Sequence, residues 1–358
     1  MRGRRVRGGN RGCWRNDCGV WQRRTMRTRA RWIPVWLTWM LAACVVGDPA
    51  GAPAGDDDDD VAAPDAGPAG GADAGPGAAD AAGSDPDAGP DPRCYTEAVD
   101  PEADISDVVA AYGGADWKDD LIEAMSRRHP ATAYLLDAQR NDSYFDQFSD
   151  PSSWTGMVGW LDTLAHEETH LFNARRAAEV GEAHALYARE DLIFYLPEDR
   201  SFARGEIYDD IAPAARDGIY APTYLTGSQG ERGFNALLDE LSCYLNELAA
   251  VGPVGEYFSG GVSLRDGSVA FLYFVAVYLR VARTEHPDVY EALRQQSVYR
   301  DAVATLWLRT QFFLAIADAY PALGVDDGVY RDLLDDPAIL DEIAQFTGRR
   351  VGASNCEL

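Results

Sequence analysis

Lysine is all but missing from this chain: of its 32 basic residues only Lys118 is lysine, and the rest are arginine. That bias marks base composition and carries no functional message. Histidine is scarce too, with five in 358 residues, so two of them at a chemically meaningful spacing stand out. Positive charge is short where the chain reads as folded. From Arg93 onward 21 basic residues face 45 acidic ones, a net of about 24 negative charges. Nucleic acid and anionic membrane surfaces are disfavoured as partners on that ground. Residues 45–92 lack both aromatic side chains and positive charge, being almost entirely Ala, Gly, Pro and Asp, with a run of aspartates from Asp56 to Asp60. Such a segment cannot bury enough apolar surface to offset its ordering entropy. No internal repeat is present.

What stands at the N-terminus is basic and then apolar. Residues 1–31 carry eleven arginines and one acid, Asp17, and the run Trp32 to Ala43 follows, ending at Cys44. A basic region, a short apolar region and small residues before a cleavage point make residues 1–43 a signal peptide. The apolar run is too short to span a bilayer, which takes about 20 residues as a helix. Met26 offers a start that leaves a leader of ordinary length. The stretch Leu41-Ala42-Ala43-Cys44 resembles the lipobox of bacterial lipoproteins, which implies a lipid on Cys44 and an exported, envelope-anchored protein. Residues 44–92 are then a lipidated, disordered tether that holds the domain on the order of 40 Å from its anchor. Residues 93–358 form the folded part. It keeps three cysteines, Cys94, Cys243 and Cys356. Either Cys94–Cys356 or Cys94–Cys243 pairs in an oxidising compartment, and one thiol stays single.

Within 93–358 the apolar residues of Asp104 to Met125 fall at helical spacing, with a break at Gly113-Gly114. Residues 131–148 read equally as helix or strand. Asp150-Pro151-Ser152-Ser153 starts a helix, with a serine as N-cap, that is expected to run to about Ala178. The period then changes: Ala183 to Tyr187 and Leu192 to Leu196 read as a hairpin closed by Pro197. A loop-rich stretch follows. From Phe234 the pattern is helical again, with breaks at 252–261, at His286-Pro287 and at 321–328. The expected class is α+β, mainly α-helical: an active-site helix, a small β-hairpin and a C-terminal helical part.

The scarce histidines fall in Leu164-Ala165-His166-Glu167-Glu168-Thr169-His170. With about 100° of turn per residue, His170 lies roughly 40° from His166, on the same face, Glu167 at about 100° beside the pair and Glu168 at about 200° on the far side. In H-E-x-x-H two neutral imidazoles bind Zn2+, and the intervening glutamate is general base to the water that the metal activates. Gly156, Gly159, Thr163, Ala174 and Ala177 fall on the histidine side and leave room there. Met157, Leu161, Leu164, Leu171 and Phe172 form the opposite, core stripe. Glu168 sits inside that stripe, and Arg175 is expected to share a buried charge network with it.

Two histidines need a third protein ligand if a position is to stay open for chemistry. Position 176 is Arg, so a third histidine six residues past His170 is excluded. The later helix Phe234 to Ala250 carries Glu240 among Leu237, Cys243, Tyr244 and Glu247, where a carboxylate needs a cation. Glu240 is the favoured ligand and Glu247, two turns on, the alternative. Asp239 points elsewhere and can orient a ligand histidine from behind.

Taken together, T-L-A-H-E-E-T-H-L-F and, about seventy residues later, L-L-D-E-L-S-C-Y-L-N-E resemble the gluzincins, zincin metallopeptidases with a glutamate as third ligand. The resemblance covers these two helices. It implies a zincin-like domain, Zn2+ as cofactor, His166, His170 and Glu240 as its ligands, Glu167 as base, and a peptide or protein as substrate. Glu168 departs from the family's preference for an uncharged residue. Such enzymes add a Tyr or His that stabilises the oxyanion, a role for which Tyr220 and Tyr224 stand first and Tyr195 behind them. Cys243 is a small buried hydrophobe or half of a disulfide. The expected activity is zinc-dependent amide hydrolysis. The alternative is a non-catalytic lipoprotein that uses the same scaffold, or structural zinc, for binding.

Overall fold

Glycine and proline divide the first half of the domain into short helices. The computed structural model describes residues 94–259 and 264–352. The expected leader, lipidation site at Cys44 and tether, together with Cys356, lie outside the described residues. Helix α1 (Ser106–Ala111) ends before Gly113-Gly114, and α2 (Trp117–Arg128) hands over at His129 to α3 (Pro130–Gln139), which has proline in its first turn. Residues 131–148, ambiguous in sequence, are helical in two pieces, since α4 (Ser143–Gln147) starts afresh with Asp142 capping Tyr144 N at 3.0 Å.

The helix expected from Ser153 to Ala178 is interrupted. Ser153 does cap it, accepting from Gly156 N at 3.0 Å, but α5 (Trp154–Val158) stops at Gly159 and α6 (Leu161–Val180) begins anew. The last turn of α5 tightens, with Trp160 N bonding Met157 O, and Trp160 joins the two helices at φ −113°, ψ −5°. Gly181 closes α6 in the left-handed region at φ 75°, where a side chain would be strained.

Strands β1 (His184–Arg189) and β2 (Leu192–Leu196) pair antiparallel as the only sheet among the described residues, with Leu186 opposite Phe194 and an irregularity between Tyr187 and Arg189. The loop-rich stretch after them carries a 3-10 segment (Arg204–Asp210) and three single turns of helix, α7 (Pro213–Arg216), α8 (Tyr220–Tyr224) and α9 (Gly227–Gly230). The remainder is helical: α10 (Phe234–Val251), α11 (Leu264–Glu285), α12 (Pro287–Gln295), α13 (Ser297–Ala317), α14 (Gly328–Leu334) and α15 (Pro337–Thr347). The fold is mainly helical with one small antiparallel hairpin.

Helix α10 is the centre. It packs against α6, α11, α13 and β1, and every residue in it except Ala236 and Asp239 is buried. The polar stripe of this helix therefore faces protein and not solvent. It is tolerated there because its groups find partners: Asn235 Nδ2 donates to Pro197 O at 2.8 Å, Ser242 Oγ to Tyr187 O at 3.1 Å and Asn246 Nδ2 to the same carbonyl at 3.0 Å. Helix α11 is long and apolar enough, by length and composition, to cross a membrane, yet 83% of its apolar window is buried inside the protein, the pattern of a core helix.

A second buried network ties the start of the domain to this centre. Arg309 on α13 donates to Glu97 at 2.7 and 3.2 Å and to Asn246 Oδ1 at 2.9 Å. Glu97 also meets His129 Nε2 at 2.6 Å and accepts from the Tyr95 hydroxyl at 2.5 Å. Nearby Cys94 is disulfide-bonded while Cys243 is free and buried. The Cys94–Cys243 alternative is thus overturned, because α10 holds Cys243 in its core, and the partner of Cys94 lies outside the described residues.

Candidate metal centre

The i, i+4 spacing on α6 puts His166 and His170 side by side, with ring centroids 5.0 Å apart. Against them α10 presents Glu240, whose Oε2 lies 3.8 Å from His166 Nε2 and 3.6 Å from His170 Nε2. Donors about 2.0–2.1 Å from a tetrahedrally bound zinc stand roughly 3.3–3.5 Å apart, so the two imidazole-to-carboxylate edges need to close by only a few tenths of an ångström, and the three ligand atoms all lie within 4.8 Å of one another. His170 Nε2 and both oxygens of Glu240 are buried without a hydrogen-bond partner. Leaving three such atoms unmade costs several kcal/mol in total, about 1–3 kcal/mol each, unless a cation joins them. The donor set of two imidazoles and a carboxylate fits a zinc-like divalent ion.

Each histidine is held from behind. Asp239 Oδ2 accepts from His170 Nδ1 at 2.7 Å and its other oxygen accepts from Asn173 Nδ2 at 2.8 Å. Asn173 in turn accepts from Tyr187 N on β1 at 2.9 Å, so the hairpin braces the helix pair. Glu247, the alternative third ligand, stands behind His166 with Oε2 at 3.1 Å from Nδ1. These contacts make Nε2 the free nitrogen of both rings, the arrangement that metal-binding histidines use. Asp239 thus orients a ligand histidine from behind, as the sequence allowed, while the choice of His170 and the place of Glu247 behind His166 depend on how α10 crosses α6.

Electrostatics separate the three glutamates of the site. Burial pushes Glu240 up, but His170, Arg204 and His166 together outweigh it and hold the carboxyl down at about 2, ready as an anionic ligand. Burial raises Glu167, against the pull of His166 and His170. Glu247 is raised by burial and by Glu167. His166 is lowered, first by burial and then by His170, which favours the neutral ring that a metal needs.

Glu168 lies on the opposite face, fully buried. Its link to Arg175 is indirect: Gln139 donates to Glu168 Oε2 at 3.2 Å and accepts from Arg175 at 2.6 Å, with Glu168 Oε1 left unpartnered. Burial, with Asp142 adding to it, raises the Glu168 carboxyl to about 8. The sign of the linkage is set by the unfolded chain, where the group loses its proton near 4.5. Between about 4.5 and 8 the native state keeps a proton that the unfolded state has lost, so stability falls as pH rises. Glu168→Gln removes this slope. In thermal melts the variant should match the parent near pH 4 and melt higher at pH 8, and a variant less stable than the parent at pH 8 would contradict the assignment.

Of the tyrosines, Tyr224 and Tyr220 reach the site through a residue that sequence reasoning passed over. Tyr244, one turn past Glu240, sets its ring edge-on to His166 at 4.7 Å, its hydroxyl lies 2.8 Å from that of Tyr224, and the Tyr220 ring packs on it at 5.8 Å. Tyr195, by contrast, lies on β2 within electrostatic reach of Arg176, which follows His170 by six residues along α6. The i+4 spacing from Glu240 was the signal for Tyr244. Its ring fits because α11 offers Gly267, where a Cβ would stand 2.2 Å from Tyr244 Cδ1. Gly267→Ala is expected to drive the ring towards His166 and to destabilise the domain by about 1–3 kcal/mol or more through overpacking. An unchanged melting temperature in that variant would show that Tyr244 has slack.

Arg204 is the other residue that sequence reasoning missed, since an arginine in a loop-rich stretch gives no sign of burial. It is fully buried, with Nη2 at 3.9 Å from Glu240 Oε1 and its guanidinium carbon 5.6 Å from the Tyr224 ring centroid. Comparison with family models, with curated proteins and with solved structures finds no match for the chain.

Proposed function

We propose that the chain is a zinc-dependent metallohydrolase of the peptidase class, built on a gluzincin-like helix pair and carried on the outer side of a membrane by a lipid on Cys44. The observation that supports this reading is the meeting of His166, His170 and Glu240 with His170 Nε2 and both Glu240 oxygens buried and unpartnered. In it, His166 and His170 would hold Zn2+ through Nε2 and Glu240 would hold it through its carboxylate. The ion, when bound, supplies Lewis acidity that activates water and polarises the substrate carbonyl.

The rest is done by the chain. Glu167 follows His166 directly and its burial-raised carboxyl is suited to take a proton from the attacking water and return it to the leaving amine, since a base works best when its pKa approaches the working pH. Asp239 and Glu247 fix the imidazole rings. The phenols of Tyr220 and Tyr224, gathered by Tyr244, are the donors for negative charge developing on the substrate oxygen. Burial of the site keeps these interactions strong by excluding water.

Chelation followed by reconstitution tests the reading. Protein stripped of metal should hydrolyse no peptide in a degenerate peptide library, and one equivalent of Zn2+ should restore cleavage. Cleavage that continues in excess chelator sinks the proposal.

A further inference from the structure

Arg204 is an expensive residue to place where it is. A fully buried guanidinium must have its charge and its five N–H groups answered. Its Nε donates to Gln229 O at 2.8 Å, Nη2 to Gln229 Oε1 at 2.5 Å and Nη1 towards Ala236 O at 3.4 Å. Its own N–H donates to Arg232 O at 2.6 Å, which pins the backbone as well. The flat group is held by these acceptors and lies against the Tyr224 ring, with the Glu240 carboxylate facing it. The two oxygens of that carboxylate point to different neighbours. Oε2 looks to the paired imidazoles at 3.6 and 3.8 Å, and Oε1 looks to Arg204 at 3.9 Å.

We propose that Arg204 is a positioning residue, which holds the outer oxygen of Glu240 so that Glu240 ligates through one oxygen and a coordination position stays open for substrate. The inference rests on the zinc reading given above. A carboxylate is free to bind a divalent ion through one oxygen or both, and a second oxygen on the ion would occupy the place that a catalytic site keeps open. A clamped cation on the far side of the carboxylate draws that oxygen away. Arginine suits the task better than lysine because its planar fork is pre-organised and its charge survives burial. A purely structural Arg204 would fill space and satisfy Gln229 and Ala236 with no bearing on how the metal is held.

Cobalt substitution distinguishes the two. Co2+ in a four-coordinate site absorbs visible light much more strongly than in a five- or six-coordinate one, and the spectrum reads ligand number without reference to turnover. The parent chain, Arg204→Met and Arg204→Lys are loaded with one equivalent of Co2+ and, separately, of Zn2+. The parent should give the intense spectrum. Arg204→Met should lose intensity severalfold, and its zinc form should fall by about 10–100-fold in kcat/KM, the range for residues that orient metal ligands. Arg204→Lys should recover part of both. Should Arg204→Met fail to fold, Arg204→Lys decides alone, because it keeps a buried cation and loses only the fork: a weakened spectrum supports the assignment and a parental one overturns it. A parental spectrum and parental activity in Arg204→Met overturn the role of Arg204 and leave the zinc reading standing. A parent chain that binds neither ion overturns both.

Discussion

Glu167→Gln is expected to lower peptide hydrolysis by about 10²–10⁴-fold, the usual contribution of a positioned general base, while zinc binding stays at the parental level. The amide matches the carboxylate in shape, so packing on α6 is kept. It cannot accept a proton, so the transfer from water is lost. Glu167 does not belong to the group whose ligand atoms converge, namely His166, His170 and Glu240, and the metal should not notice the change. Stability should hold or rise slightly, because burial penalises the charged carboxyl at this position and an amide escapes that penalty. Paired measurements of kcat/KM and zinc content are needed, since loss of both together would show only a damaged site. Full activity in the variant would remove Glu167 from the mechanism.

Glu97→Ala carries the largest expected loss of stability. Arg309, fully buried, would keep its charge with its carboxylate gone, and breaking a buried pair from one side costs about 3–5 kcal/mol. For a domain of this size that is a fall of roughly 6–20 °C in melting temperature. The acid side of the profile follows from the same contacts. Burial alone would raise Glu97, but Arg309 and His129 outweigh it and its pKa lies well below the ordinary value of 4.5. A depressed carboxyl stabilises the fold fully above its unfolded pKa and loses that contribution as pH falls towards the folded one. The gap between parent and variant should therefore be widest at neutral pH and narrow progressively below about pH 4.5. Glu97→Leu combined with Arg309→Met should recover much of the loss, because the penalty lies in the stranded charge. A single variant that melts with the parent would mean the network adds nothing.

The two networks meet on α10, and this shapes what the sequence could disclose. Periodicity exposed the histidine pair and the side on which Glu167 falls, because a helix places residues by count alone. It also set Glu240 on the later helix, which the fold brings against the histidine pair. It could not say that Asn235, Ser242 and Asn246 face inward, since a polar stripe reads as a solvent face until its partners at Pro197, Tyr187 and Arg309 are known. The break at Gly159 was hidden because one glycine in a helical pattern is often tolerated. The indirect tie between Glu168 and Arg175 needed Gln139 from α3, a residue nearly thirty positions earlier. Arg204 was illegible for the same reason, and of Tyr244 only its i+4 spacing from Glu240 could be read: each acts on a ligand through a crossing between elements that no local pattern encodes.

Zinc content of the chain purified without chelator is the measurement that bears most directly on the central claim. One ion per chain is expected in the parent and in Glu167→Gln, falling towards none in His170→Ala and in Glu240→Ala, each variant remaining folded by circular dichroism. A folded parent that takes up no zinc, or a stoichiometric ion that survives the loss of Glu240, would contradict it.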